Sequence, residues 1–235
     1  MKQDRNVPKR RGMRRRVGLL SICVGLCGVL LLLLPQRVGA SAGVSSLEGL
    51  RLPTGAVRER MADRMWLHGM PAQVWVFDVP QSPSAVAKTL AAQQPALADL
   101  HVLPGQLILS GRVGNDRWVA QMESAGAGRT VGSLSAINVH AAPTAQLPGW
   151  LPKGARVKAD VAVMESGVKV SDRIWQYAVP PQKLAELLDA GLRRAGWVQQ
   201  GDGAGQWWVR ESERMMLWLV SLDGGSGLRA LGWTP

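Results

Sequence analysis

The sequence is poor in the residues from which sites are usually built: two cysteines in 235 residues, three histidines, one tyrosine and one phenylalanine. Both cysteines, Cys23 and Cys27, lie inside an uncharged run at residues 17–34. The chain beyond that run therefore has no disulfide, no thiol nucleophile and no cysteine-ligated metal. His68, His101 and His140 stand far apart without metal-ligand spacing, so no metal and no cofactor are expected.

Serine chemistry is equally thin. Gly225-Ser226-Gly227 lacks the G-x-S-x-G frame because Leu228 holds its last position. Ser166 and Lys169 meet the S-x-x-K spacing, but in an alternating, strand-like or turn segment, with no K-T-G partner. Gly126-Ala127-Gly128 and residues 201–205 match no phosphate-binding loop. Paired carboxylates converge only in three dimensions, and Asp78, Asp99, Glu123, Glu165 and Asp172 are expected at strand edges or loops, where solvated charge is the default. The expectation is a protein that is not an enzyme.

What is abundant is positive charge, with 28 Lys and Arg against 17 Asp and Glu and a net charge of +11. Nine of the basic residues and only one acid, Asp4, fall in residues 1–40, so this stretch carries +8. The remaining chain carries +3 and offers no basic tract for nucleic acid.

The cluster Arg14-Arg15-Arg16 followed by residues 17–34 without charge reads as an export or membrane-insertion signal. Pro35 after the apolar run and the small residues Val38-Gly39-Ala40 before Ser41 favour a cleaved signal peptide. The 18-residue length of the run favours a retained signal anchor, since roughly 20 residues span a bilayer. Either way the remainder is expected in the periplasm, free or tied to the inner membrane.

Self-similarity organises that remainder. Leu52-Pro53-Thr54-Gly55-Ala56 recurs as Leu151-Pro152-Lys153-Gly154-Ala155, and Trp75, Val79-Pro80, Trp118 and Gly132 recur 100 residues later. The spacing predicts two modules, 51–137 and 151–235, after a tether at 41–50 and joined by a linker at 138–150. In each, a strand ending at proline (73–79, 173–179) precedes a helix (83–94, 181–195) and three strands (106–111, 117–123, 129–137; 206–211, 215–222, 227–233). Leu184, Leu187, Leu188 and Leu192 form the apolar face of the second helix. Residues 56–66 read as a short helix or a strand, and 158–170 alternate like a hairpin. The expected class is α+β: two tandem copies of one helix on one antiparallel sheet.

Ten tryptophans are the compositional oddity, although 21 Arg against 7 Lys points to a GC-rich codon bias that also favours Trp. Trp75, Trp118, Trp175 and Trp218 fall in expected strands and are assigned to the core. Trp207 and Trp208 are adjacent in a strand and must point to opposite faces, so one indole is expected on the surface. The candidate contact surface is therefore Trp207 or Trp208 together with Trp150 or Trp233. These features suit an accessory or scaffold protein of a cell-envelope assembly, of secretion or pilus type, whose partners are envelope proteins met at exposed strand edges. A glycan- or peptidoglycan-binding module using the same tryptophans is one alternative, and an envelope hydrolase, which would need histidine and acid side chains to meet in one pocket, is another.

Overall fold

The computed structural model describes residues 43–143, 146–201 and 206–235. The expected export segment at 1–40 lies outside the described residues. Among those residues, no helix is long and apolar enough to cross a membrane.

After a 3-10 turn at Leu47–Gly49, the elements are β1 (Val57–Arg60), β2 (Arg64–Leu67), β3 (Met70–Val79), α1 (Pro83–Gln93), β4 (Asp99–Leu103), β5 (Gln106–Val113), β6 (Asp116–Ser124) and β7 (Thr130–Asn138). There follow β8 (Arg156–Glu165), β9 (Val168–Tyr177), α2 (Pro181–Arg194), β10 (Val198–Gln200), β11 (Gln206–Arg210), β12 (Glu213–Leu222) and β13 (Gly225–Thr234). Residues 56–66, ambiguous in sequence, supply β1 and most of β2.

The α+β class with two tandem modules is overturned. The molecule is mostly β, a single 13-stranded antiparallel sheet carrying only two α-helices among the described residues. The strand order is β10-β11-β12-β13-β9-β8-β2-β3-β7-β6-β5-β4, with β1 beside β3. What joins the parts is the pairing of β2 with β8, in which Leu67 stands opposite Val161 and Met65 opposite Val163. A spacing argument sees strands that follow one another, and this contact links positions almost a hundred residues apart. The offset of 100 also fails inside the sheet. Trp75 and Trp175 face Leu134 and Leu228, yet Trp118 faces Ala136 while Trp218 faces Arg229.

Local chemistry explains the corners. His68-Gly69 between β2 and β3, and Ser166-Gly167 between β8 and β9, are two-residue turns with positive φ at both positions. Such turns match the right-handed twist of the strands they join. Ser82 accepts a hydrogen bond from the Ala85 N–H to cap α1, and Pro83 occupies its first position. Helix α2 ends in a Schellman arrangement: Gly196 takes φ 81°, its N–H donates to Arg193 O, and the Trp197 N–H donates to Leu192 O at 3.0 Å. That ending turns Trp197 into the core, where it is buried with Leu184, Leu188 and Leu192.

Both helices lie on one face of the sheet. Helix α1 covers Phe77, Leu109, Trp118, Ala120, Met122 and Leu134. Helix α2 covers Trp175, Tyr177, Trp208, Met215, Leu217 and Leu228. Directly opposed residues of an antiparallel pair share a face. The register Trp208, Met215, Gly232, Ser171, Ala162, Trp66 therefore carries the α2 side across to the α1 side. The opposite face holds the row Val209, Arg214, Trp233, Val170, Val163, Met65, Ala72, Ile137.

Two measurements probe the α2 layer. Leu188 is buried and Leu187, placed by sequence on the same apolar face, is 42% exposed. Chemical denaturation of the purified protein should show Leu188→Ala losing about 2–5 kcal/mol and Leu187→Ala losing about 0.5 or less. Tyr177 is the one tyrosine of the chain. Its hydroxyl donates to Pro152 O at 3.2 Å, and burial pushes its pKa up to about 12. Tyrosinate absorbance should rise with a midpoint near 12 in the folded protein and near 10 in denaturant. Because the folded form holds its proton longer, Tyr177 contributes stability that is present below pH 10 and declines as pH climbs toward 12.

Candidate functional site

Antiparallel sheets commonly bury one face and wet the other. Here the helix-free face is itself buried over part of the sheet, where Val74, Ile108, Val119, Ser133, Ser135, Ile137, Met65, Leu67 and Val161 are all buried. On β10–β13 the same face opens to solvent while keeping apolar side chains. Val198 is 62% exposed, Val220 53% and Leu222 41%, and Trp207, Met216, Trp218, Leu231 and Trp233 lie among them in partial exposure. A contiguous apolar surface of this kind marks an interaction site on a folded protein.

Its most ordered part is an aromatic pair. Trp207 on β11 and Trp233 on β13 reach over the intervening β12 and stack, centroids 5.5 Å apart at an interplanar angle of 24°. Trp207 is held opposite Met216, and Met216 opposite Leu231. Farther along β12, Trp218 carries the Arg229 guanidinium over its ring at 5.5 Å. Arg229 also donates to both carboxylate oxygens of Asp172, at 2.9 and 2.7 Å. Asp172 is buried, and this bidentate bond supplies the counter-charge that a buried carboxylate needs. The same bond raises the Arg229 pKa, so the guanidinium stays charged at every working pH.

Around the strand ends that carry Trp233, a pocket of about 400 Å³ is lined by Trp150, Trp175, Trp197, Arg210, Met215 and Trp233 among others. Trp150 meets Trp175 edge-on at 5.9 Å. It reaches that position because residue 191 of α2 is glycine: a Cβ there would stand 2.4 Å from Trp150 O. Arg210 lies over the Trp197 ring at 4.9 Å and pairs with Glu213 at 3.0 Å. Arg214 lines the same pocket, is exposed, and has no ion-pair partner among the described residues.

The four tryptophans singled out in the sequence are thus divided. Trp207 and Trp233 come together on the open face. Trp208 is buried beneath α2, and Trp150 is buried in the same core while touching the pocket. Of the four assigned to the core, Trp118 and Trp175 are buried, whereas Trp75 and Trp218 are half-buried beneath Arg58 and Arg229. Trp218 is the surface residue that the sequence reading missed. The signal lay in its neighbours: Met215 and Leu217 alternate with Met216 and Trp218, so β12 is apolar on both sides.

The other candidates do not converge. His68 sits in the β2–β3 turn, His101 on β4, and His140 beyond β7, where its ring meets Arg112. Ser166 lies in a hairpin turn, and Lys169 sits over the Trp66 ring. Asp78 pairs with Arg129, whose hydrogen bond holds the Asp78 carboxyl below the usual range. Among the described residues, no group of three His, Cys, Asp or Glu side chains is placed to hold a metal. No protein family, curated protein or solved structure matches this chain.

The stacked pair yields a direct test of its own organisation. In a double-mutant cycle, Trp207→Ala and Trp233→Ala should couple by about 0.5–1.5 kcal/mol in denaturation free energy. The same cycle run on Trp207 and Trp66, which belong to opposite faces of the sheet, should show coupling within about 0.5 kcal/mol of zero.

Proposed function

We propose that the chain is a non-enzymatic, periplasm-facing accessory or scaffold protein of a cell-envelope assembly, of secretion or pilus type, acting through protein–protein contacts. The observation that carries this reading is the open apolar face of β10–β13. Three partly exposed tryptophans grouped on one sheet face have the composition of an interface centre, where aromatic residues supply most of the binding energy. The cationic rim defines the partner further. Arg210 and Arg229 are already paired with Glu213 and Asp172, so Arg214 is the charge left to be met. A partner offering an aliphatic or aromatic side chain to the Trp207–Trp233 stack and a carboxylate to Arg214 satisfies both demands. The net charge of +3 beyond residue 40 agrees with contact at a specific patch in preference to diffuse binding of polyanions.

The test places a photo-reactive side chain at Val220 of the full chain in the producing cell, with the same side chain at the exposed Glu186 of α2 as control. The expected result is a Val220-specific adduct with an envelope protein, and at least a tenfold loss of affinity for that purified protein in Trp207→Ala and in Arg214→Glu. An adduct pattern identical at Val220 and Glu186 would overturn the proposal. So would retention on purified cell wall that Trp207→Ala abolishes, which would assign the face to a glycan.

A further inference from the structure

The sheet has two ends, and they differ. At one, β10 is three residues long. At the other, β4 presents five residues, Asp99-Leu100-His101-Val102-Leu103, paired among the described residues only with β5 and in unbroken register. Proteins blunt such edges with lysine, proline or a bulge. Strand β4 has none of these. Leu100, Val102 and Leu103 are 54%, 73% and 44% exposed, and His101 is exposed as well. Its outward backbone N–H and C=O groups form a template that another extended strand can pair with.

We infer that this strand is a second copy of β4, arranged antiparallel about a two-fold axis through His101. The pattern is self-complementary. With His101 opposite His101 of the second copy, Leu100 falls opposite Val102 of that copy and Asp99 opposite Leu103, and each pairing is repeated by symmetry. Leu100 is opposite Leu109 and Val102 opposite Leu107, so both stand on the helix-bearing face. Pairing therefore places two Leu–Val contacts side by side against apolar surface already built there, and cross-strand aliphatic pairs of this kind stabilise sheets. On the other face, Asp99 of each copy lies diagonal to His101 of the other, so the one carboxylate of the strand comes within reach of an imidazole. A register one residue away would set Leu100 or Val102 against the opposite face and forfeit both contacts. The result is one sheet continuous across two molecules, closed by symmetry and ending at two β10 edges. Five residues a side make a small interface, so the dimer is one that dissociates on dilution. The β10–β13 face is at the far end of the sheet and remains free for the partner proposed above.

Sedimentation of the purified full chain in detergent should show a concentration-dependent monomer–dimer equilibrium. Val102→Lys should shift that equilibrium at least tenfold toward monomer while leaving the thermal unfolding midpoint unchanged at dilutions where both proteins are monomeric. In a Cys23→Ser, Cys27→Ser background, His101→Cys should form a disulfide-linked dimer on mild oxidation. Directly opposed residues bring their Cα atoms to about 4.5–5.5 Å, within disulfide reach. Leu100→Cys, two residues from its own counterpart in this register, should cross-link far less. A single monomeric species at all concentrations, a dimer that persists in Val102→Lys, or equal cross-linking at positions 100 and 101 would each overturn the inference. None of these results bears on the β10–β13 face, which is read by the adduct at Val220.

Discussion

The four-residue ladder between β2 and β8 is the contact on which the rest of this architecture depends. Without it, β2 and β8 would each present an unpaired edge, and Met65, Leu67 and Val161 would lose the neighbours that keep them dry. The ladder is reinforced at its end, where the His68 N–H donates to Asp160 O at 2.7 Å. Asp160 in turn accepts from Arg173 at 3.0 Å, tying the turn after β2 into β9. A short hydrophobic ladder with a hydrogen-bonded turn thus sets the phase of every strand on either side. Once the phase is fixed, the period of two along each strand decides which side chain meets a helix and which does not.

That constraint explains why tryptophan serves two purposes here. Where a helix covers the sheet, the indole fills the gap between layers: Trp118 beneath α1, Trp175 and Trp208 beneath α2. The indole N–H groups of Trp118 and Trp208 find no acceptor among the described residues. A buried unpaired donor costs about 1–3 kcal/mol, so the apolar area of these rings has to outweigh that penalty. One residue from Trp208 on β11, Trp207 emerges on the opposite face, which no helix covers among the described residues, and Trp218 does so on β12. Adjacent positions, 207 and 208, therefore belong to different parts of the molecule.

Much of the local structure was legible in the residues. Proline at the start of both helices and alternation in the long strands locate β3, α1, β5–β7, α2 and β11–β13 to within a few residues, whereas β9 begins five residues before the strand expected at 173–179. What was not legible is how these elements assemble. Strands β4 and β10 were absent from the sequence reading, and β10, at three residues, is too short for a periodic signal. The β2–β8 pairing was invisible for another reason. Its residues alternate as any strand does, and nothing in Arg64–Leu67 names Val161–Met164 as the partner. The tandem-module reading failed at that point, because it closed each half on itself and left no role for an edge that pairs across the middle. Of the candidate site, the exposure of one indole in the 207–208 pair followed from strand geometry, while the stacking of Trp207 on Trp233 required knowing that β12 lies between β11 and β13.

The contrast along the helix-free face gives the molecule its polarity. Over β5–β7 this face is lined by Ser110, Ser133 and Ser135 together with Ile108, Val119 and Ile137, small and medium side chains that pack to full burial. Over β10–β13 the face carries Trp207, Trp218, Trp233 and Met216 with the Arg229–Asp172 pair, too bulky and too charged to close in the same way. Ser133 and Ser135 are buried, and Ser135 satisfies its own hydroxyl by donating to Val119 O at 3.3 Å. Arg229 and Asp172 achieve the same satisfaction only as a pair, and the guanidinium lies over the Trp218 ring, which places a fixed positive charge beside an apolar plane. The sealed part and the open part thus lie on one face of one sheet. The open part is where apolar area remains to be removed from water, and the free energy of doing so is what a partner would gain by binding there.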